Sequence, residues 1–152
     1  MLDEDLNRNY LATVILAVAM IASVFVYAGI VELLPRLAPS SEVAAEPGTV
    51  ELFRKVLRGL ALVNFLALAW LGGRARRPVG EPLARLAKLK TVTTVGLALA
   101  ESIALYGLVL FFLSRDPIDF YYLLLVSLLS FIIAFPRYDR WKEALNEMPM
   151  RS

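Results

Sequence analysis

The chain has 152 residues, 59% of them hydrophobic, and is too apolar for a soluble domain of this size. Its formal net charge of +2 says little by itself, because in a membrane protein the placement of charge matters more than the sum. With no Cys and no His it lacks disulfides, thiolate nucleophiles, histidine bases and the usual ligands of haem, zinc and iron–sulfur clusters, which argues against metal-borne redox chemistry and against an enzyme acting by itself.

The chain opens MLDEDLNRN, acidic where a secretory signal is basic, and the apolar run behind it is too long for a signal core, so it is expected to stay attached as a first span. Apolar segments at residues 10–34, 57–73, 91–114 and 119–136 compare with the roughly 20 residues that cross a bilayer as a helix. They predict an all-α integral membrane protein, one membrane domain over 1–152, with four transmembrane helices in two antiparallel hairpins. The second and fourth spans are shorter, but Arg58 can snorkel and Trp70, Tyr121, Tyr122 and Tyr138 can sit as interfacial aromatics.

Between the second and third spans, the loop 74–90 collects Arg74, Arg76, Arg77, Arg85, Lys88 and Lys90 against Glu81. The tail 137–152 adds Arg137, Arg140 and Lys142. The positive-inside rule puts both in the cytoplasm, with the N-terminus beside them, as expected of a multi-pass protein of the cell inner membrane. The outer segments then hold Glu42, Glu46, Glu51, Asp116 and Asp119, while the cluster Arg54, Lys55 and Arg58 runs against this topology. Pro117 marks a tight outer turn and Asp119 is the expected N-cap of the fourth span. After Pro136 the chain reads either as an amphipathic helix with Trp141 and Leu145 turned to the membrane or as a partly ordered tail.

The third span carries a lone carboxylate, Glu101, near its middle. A charge at that depth costs at least about 2.5 to 3.5 kcal/mol, so the group is expected to be protonated, paired, or turned to a partner or water. Gly96, Ala100 and Ala104 recur every fourth residue as a ridge for close helix packing, with Glu101 beside it. Ser102 places a hydroxyl next to the carboxylate, and Asn64, deep in the second span, can reach it across the hairpin or simply bond another helix. Glu101 itself reads as a reversible proton carrier or as a protonated carboxyl bonded to a neighbouring helix. Tyr27 and Tyr106 read by position as packing residues, and Glu32 as solvated near the outer end of the first span.

The string ARRPVGEPLARLAKLKTVTTVGLALAESIALYGLVLFF, residues 75–112, resembles the polar loop and carboxylate-bearing helix of the c subunit, or proteolipid, of rotary F-type and V-type ATP synthases. In that resemblance Arg76, Arg77 and Pro78 match the cytoplasmic turn that meets a partner subunit, Gly96, Ala98 and Ala100 the small positions, Glu101 the ion-carrying carboxylate and Tyr106 the aromatic that follows. It implies a proteolipid-like membrane subunit binding an ion at Glu101, Ser102, Tyr106 and Asn64, as a homo-oligomer or part of an ion-translocating complex in the bilayer. Ser102 matches sodium-carrying relatives, but Ile103 replaces their next hydroxyl, so a proton is favoured over sodium and no other cofactor or metal is implied. The second span, GLALVNFLALAWLGG, has bulky Leu, Phe and Trp where the family has a glycine repeat. That supports the alternative of a non-transporting accessory, assembly or structural subunit that keeps the hairpin. Topology already accounts for the basic loop, so nucleic-acid binding is unsupported.

Overall fold

The computed structural model describes residues 2–37, 46–75, 82–139 and 141–142, and these form four long helices: α1 (Leu2–Leu37), α2 (Pro47–Ala75), α3 (Pro82–Ser114) and α4 (Pro117–Ala134). All four are long and apolar enough to cross a membrane. Three of them overrun the apolar segments at their charged ends. The helix over Pro82–Ser114 takes in most of the expected loop 74–90, because Leu, Ala, Arg and Lys are strong helix formers whether or not lipid surrounds them. At 33 residues α3 is about 50 Å long, more than the roughly 30 Å of hydrocarbon, so its first turns project beyond the bilayer. Likewise ELFRKVLR forms early turns of α2 in continuity with the span.

The start of α4 differs from the expectation. Asp116, not Asp119, is the N-cap: its Oδ1 accepts from the backbone N–H of Ile118 at 2.9 Å, with Pro117 in the first helical turn. The reversal from α3 is tight, with Arg115 in the left-handed region at φ 59° and its N–H donating to the Phe111 carbonyl at 2.8 Å. With the capping done by Asp116, Asp119 turns inward and is buried.

α3 is the central element and packs against each of the others, whereas the backbones of α1 and α2 do not approach one another. The expected pairing into two hairpins therefore changes: α3 and α4 form a packed antiparallel pair, while α1 and α2 flank α3 separately. One end of the bundle is tied by Leu6, Leu86 and Trp141, the other by Val31, Phe111 and Phe120, so α1 and α3 run in the same direction. Trp141 is 1% exposed and stacks edge-on against Tyr10, so this part of the tail folds onto the bundle. Leu145 lies outside the described residues. Between the ends, Ala17, Val24, Leu97, Ala100, Ala104 and Phe131 pack the α1 side, and Ala61, Ile103, Leu110 and Leu123 the α2 side. The outward faces remain apolar, with Ile15, Val18, Phe25 and Val26 of α1 and Leu62, Val63, Leu66 and Trp70 of α2 exposed. So large an apolar surface suits lipid and not water.

Candidate functional site

Ala100 and Ala104 are fully buried, and their short side chains let α1 approach α3 closely. Glu101, next along α3, is half-buried at that seam. Two residues of α1 meet it. Ser23 Oγ lies 2.6 Å from Glu101 Oε1, and the Tyr27 hydroxyl donates to the same oxygen at 3.1 Å. Ser23 and Tyr27 are four apart, so successive turns of one helix face present both groups to a single carboxyl. Ser23 Oγ also lies 2.7 Å from the Met20 carbonyl. Among the described residues no Lys or Arg pairs with Glu101.

The other residues expected around the carboxylate lie elsewhere. Ser102 donates to the Ala98 carbonyl of its own helix at 2.8 Å. Asn64 Nδ2 donates to the Tyr106 hydroxyl at 3.3 Å, joining α2 to α3 without reaching Glu101. Helix geometry explains the separation: five residues at 100° each leave positions 101 and 106 about 140° apart, so they face different neighbours. Tyr27, expected to pack only, is a bonding partner, and Ser23 is one the sequence reading passed over. Their sequence signal was faint: a Ser and a Tyr at helical spacing in a span whose one charged residue, Glu32, lies near its outer end.

The ridge Gly96, Ala100 and Ala104 is consumed within the chain. A Cβ on Gly96 would meet Leu68 of α2 and Ala134 of α4, Ala100 and Ala104 pack into the α1 side of the core, and the Ser127 hydroxyl of α4 donates to the Ala100 carbonyl at 2.7 Å. These are packing positions, but between helices of one chain. Arg76, Arg77 and Pro78 lie outside the described residues.

A second polar cluster stands at the far end of the bundle. Asp119, 3% exposed, accepts from Arg54 Nη2 at 2.8 Å and Nε at 2.9 Å on Oδ2, and from Arg58 Nη2 at 2.8 Å on Oδ1. Arg54 also binds Glu51 at 2.9 Å, Lys55 pairs with Glu51 at 3.5 Å, and the Arg58 guanidinium lies 5.4 Å from the ring centre of Tyr122. The basic cluster that ran against the topology is thus compensated by acids on its own side. Asp119 is held by two guanidinium groups and has no ion-carrying geometry. Nearby, Glu32 accepts a hydrogen bond from Tyr121 and pairs with Arg36 at 3.9 Å, so it is engaged and not merely solvated.

The described residues contain no cluster of three or more acidic side chains fit to hold a metal ion. The described residues form four helices long and apolar enough to cross a membrane, and no family model, curated protein or solved structure matches the chain.

Proposed function

We propose that the chain is a proteolipid-like membrane subunit that binds a proton reversibly at Glu101 within an ion-translocating complex. The observation that carries this reading is the pair of hydroxyls, Ser23 and Tyr27, on one oxygen of a mid-span carboxyl with no cation beside it among the described residues. A neutral acid and its conjugate base can both be accommodated by hydroxyls, which donate or accept as required. Asp119, by contrast, is paired with the guanidinium groups of Arg54 and Arg58. The ALAESIALYG string supports the same reading through its resemblance to the c subunit, which also implies a cytoplasmic basic loop, and the positive-inside rule with an even number of spans puts both termini beside it. A proton is favoured over sodium, since Ser102 is committed to its own helix.

The second reading, a non-transporting accessory or structural subunit, is favoured by the ridge. With Gly96, Ala100 and Ala104 covered by neighbouring helices of the same chain, that surface is not free to close-pack copies into a ring. The two readings separate in liposomes containing the purified chain together with its co-purifying partners. Under the first, Glu101→Gln abolishes proton flux and removes the carbodiimide-reactive carboxyl. Equal flux in the wild type and the variant would leave only the accessory role, and oligomeric state in mild detergent reports the copy number.

A further inference from the structure

We infer that Ser23, from α1, is the acceptor of the Glu101 proton and therefore the residue that positions the protonated carboxyl. The inference deepens the proton-site reading and rests on it. Its basis is a count of hydrogens. The Ser23 hydroxyl oxygen lies 2.6 Å from Glu101 Oε1 and 2.7 Å from the Met20 carbonyl, and both are normal lengths for an O–H···O bond. A hydroxyl carries a single hydrogen, and neither a carboxylate nor a carbonyl has one to give. Were Glu101 ionised, the single Ser23 hydrogen would have to serve both contacts, leaving each weaker than its length implies. Both are satisfied when Glu101 carries the proton and donates it to Ser23 Oγ, while Ser23 donates its own hydrogen to Met20.

The Tyr27 hydroxyl then completes a chain running in one direction: Tyr27 to Glu101, Glu101 to Ser23, Ser23 to the Met20 carbonyl. Such a chain is cooperative, each bond polarising the next. When Glu101 gives up its proton to a water molecule, which leaves as hydronium, the Ser23 hydrogen swings from Met20 to the carboxylate, and Tyr27 and Ser23 both donate to Oε1. Within the chain no covalent bond other than the departing O–H changes, and the charge left behind faces two donors. The α1 helix is thus one wall of the proton site.

The test uses the full chain in lipid bilayers and reads the carboxylic-acid carbonyl stretch by infrared difference spectroscopy, identified by its loss in Glu101→Gln. In the wild type the band should lie at the frequency of a hydrogen-bonded acid. Ser23→Ala should move it up to that of a free acid, and Ser23→Thr, which restores a hydroxyl, should return it. Tyr27→Phe removes a donor but not the acceptor, so the band should keep its donated-proton frequency. Carbodiimide labelling of Glu101 should accelerate roughly tenfold in Ser23→Ala, as expected when a hydrogen bond no longer retains the proton. An acid band that Ser23→Ala does not move overturns the assignment of Ser23 while leaving the proton site standing. Absence of the band, together with no labelling at Glu101, overturns both.

Discussion

Two carboxyl groups in this bundle are removed from bulk water by opposite means. Asp119 is surrounded by guanidinium groups, so its charge is compensated where it stands. Glu101 meets two hydroxyls, which compensate a negative charge only by dipoles. The first arrangement sets charge against charge, and the second surrounds the carboxyl with neutral hydroxyls. It follows that the two acids respond differently to neutral replacement. Asp119→Asn leaves Arg54 and Arg58 facing an amide that can accept on one side only, so the cluster keeps its positive charge without its counter-ion. The expected result is a protein markedly less resistant to thermal unfolding in detergent, with the loss exceeding that of Glu51→Gln on the more exposed side of Arg54. Equal melting of Asp119→Asn and the wild type would show that the cluster contributes nothing to stability.

At the scale of helices, α3 is shaped by small residues, but its glycines are not equivalent. A Cβ at Gly107 would lie 3.1 Å from the Leu123 Cβ, 3.2 Å from the Phe120 carbonyl oxygen and 3.3 Å from the Phe120 Cα. These atoms belong to or adjoin the α4 backbone and cannot yield without moving the helix. At Gly96 the closest atom, 2.9 Å away, is the far end of the Leu68 side chain, which can rotate aside. Gly107→Ala should therefore cost about 1 to 3 kcal/mol through overpacking, whereas Gly96→Ala should cost less and can gain from the higher helix propensity of Ala. Denaturant titration of the two variants ranks them, and the reverse order would mean that α4 sits farther from α3 than described. The sequence marks Gly96 as the packing glycine because it stands in register with Ala100 and Ala104. It leaves Gly107 unmarked, since the need for glycine there arises from the course of α4 after the turn, which periodicity does not encode. The existence of four spans was legible for the simpler reason that apolar length is a local property. Helix ends were not, because a reading that stops at the first charge follows the lipid boundary and not the hydrogen-bond ladder. The partners of Glu101 stayed hidden for the same reason as Gly107: Ser23 lies 78 residues away, and only the packing of α1 on α3 brings it near.

For the whole molecule, the order of contacts and the distribution of charge bear on one question, which end faces the cytoplasm. The cluster of Leu6, Leu86 and Trp141 joins the start of α1, the start of α3 and the chain beyond α4 at one end. That end carries Arg8, Arg85, Lys88, Lys90, Arg137 and Lys142, the last turn of α2 adds Arg74, and the sequence between α2 and α3 adds Arg76 and Arg77. At the other end the cations Arg36, Arg54, Lys55 and Arg58 are each within an ion pair with Glu32, Glu51 or Asp119. Acidic residues weigh little in orientation as such, and the end with Leu6 and Trp141 carries the larger number of Arg and Lys. The end containing Leu6 and Trp141 should accordingly be cytoplasmic. The chain has no Cys, so single cysteines report position without background. Glu4→Cys and Glu46→Cys replace exposed residues at opposite ends and leave every described ion pair intact. In intact cells a membrane-impermeant maleimide should modify the cysteine at position 46 and reach position 4 only after permeabilisation. The opposite pattern would reverse the topology. Modification of both in intact cells would mean that the basic end is not retained.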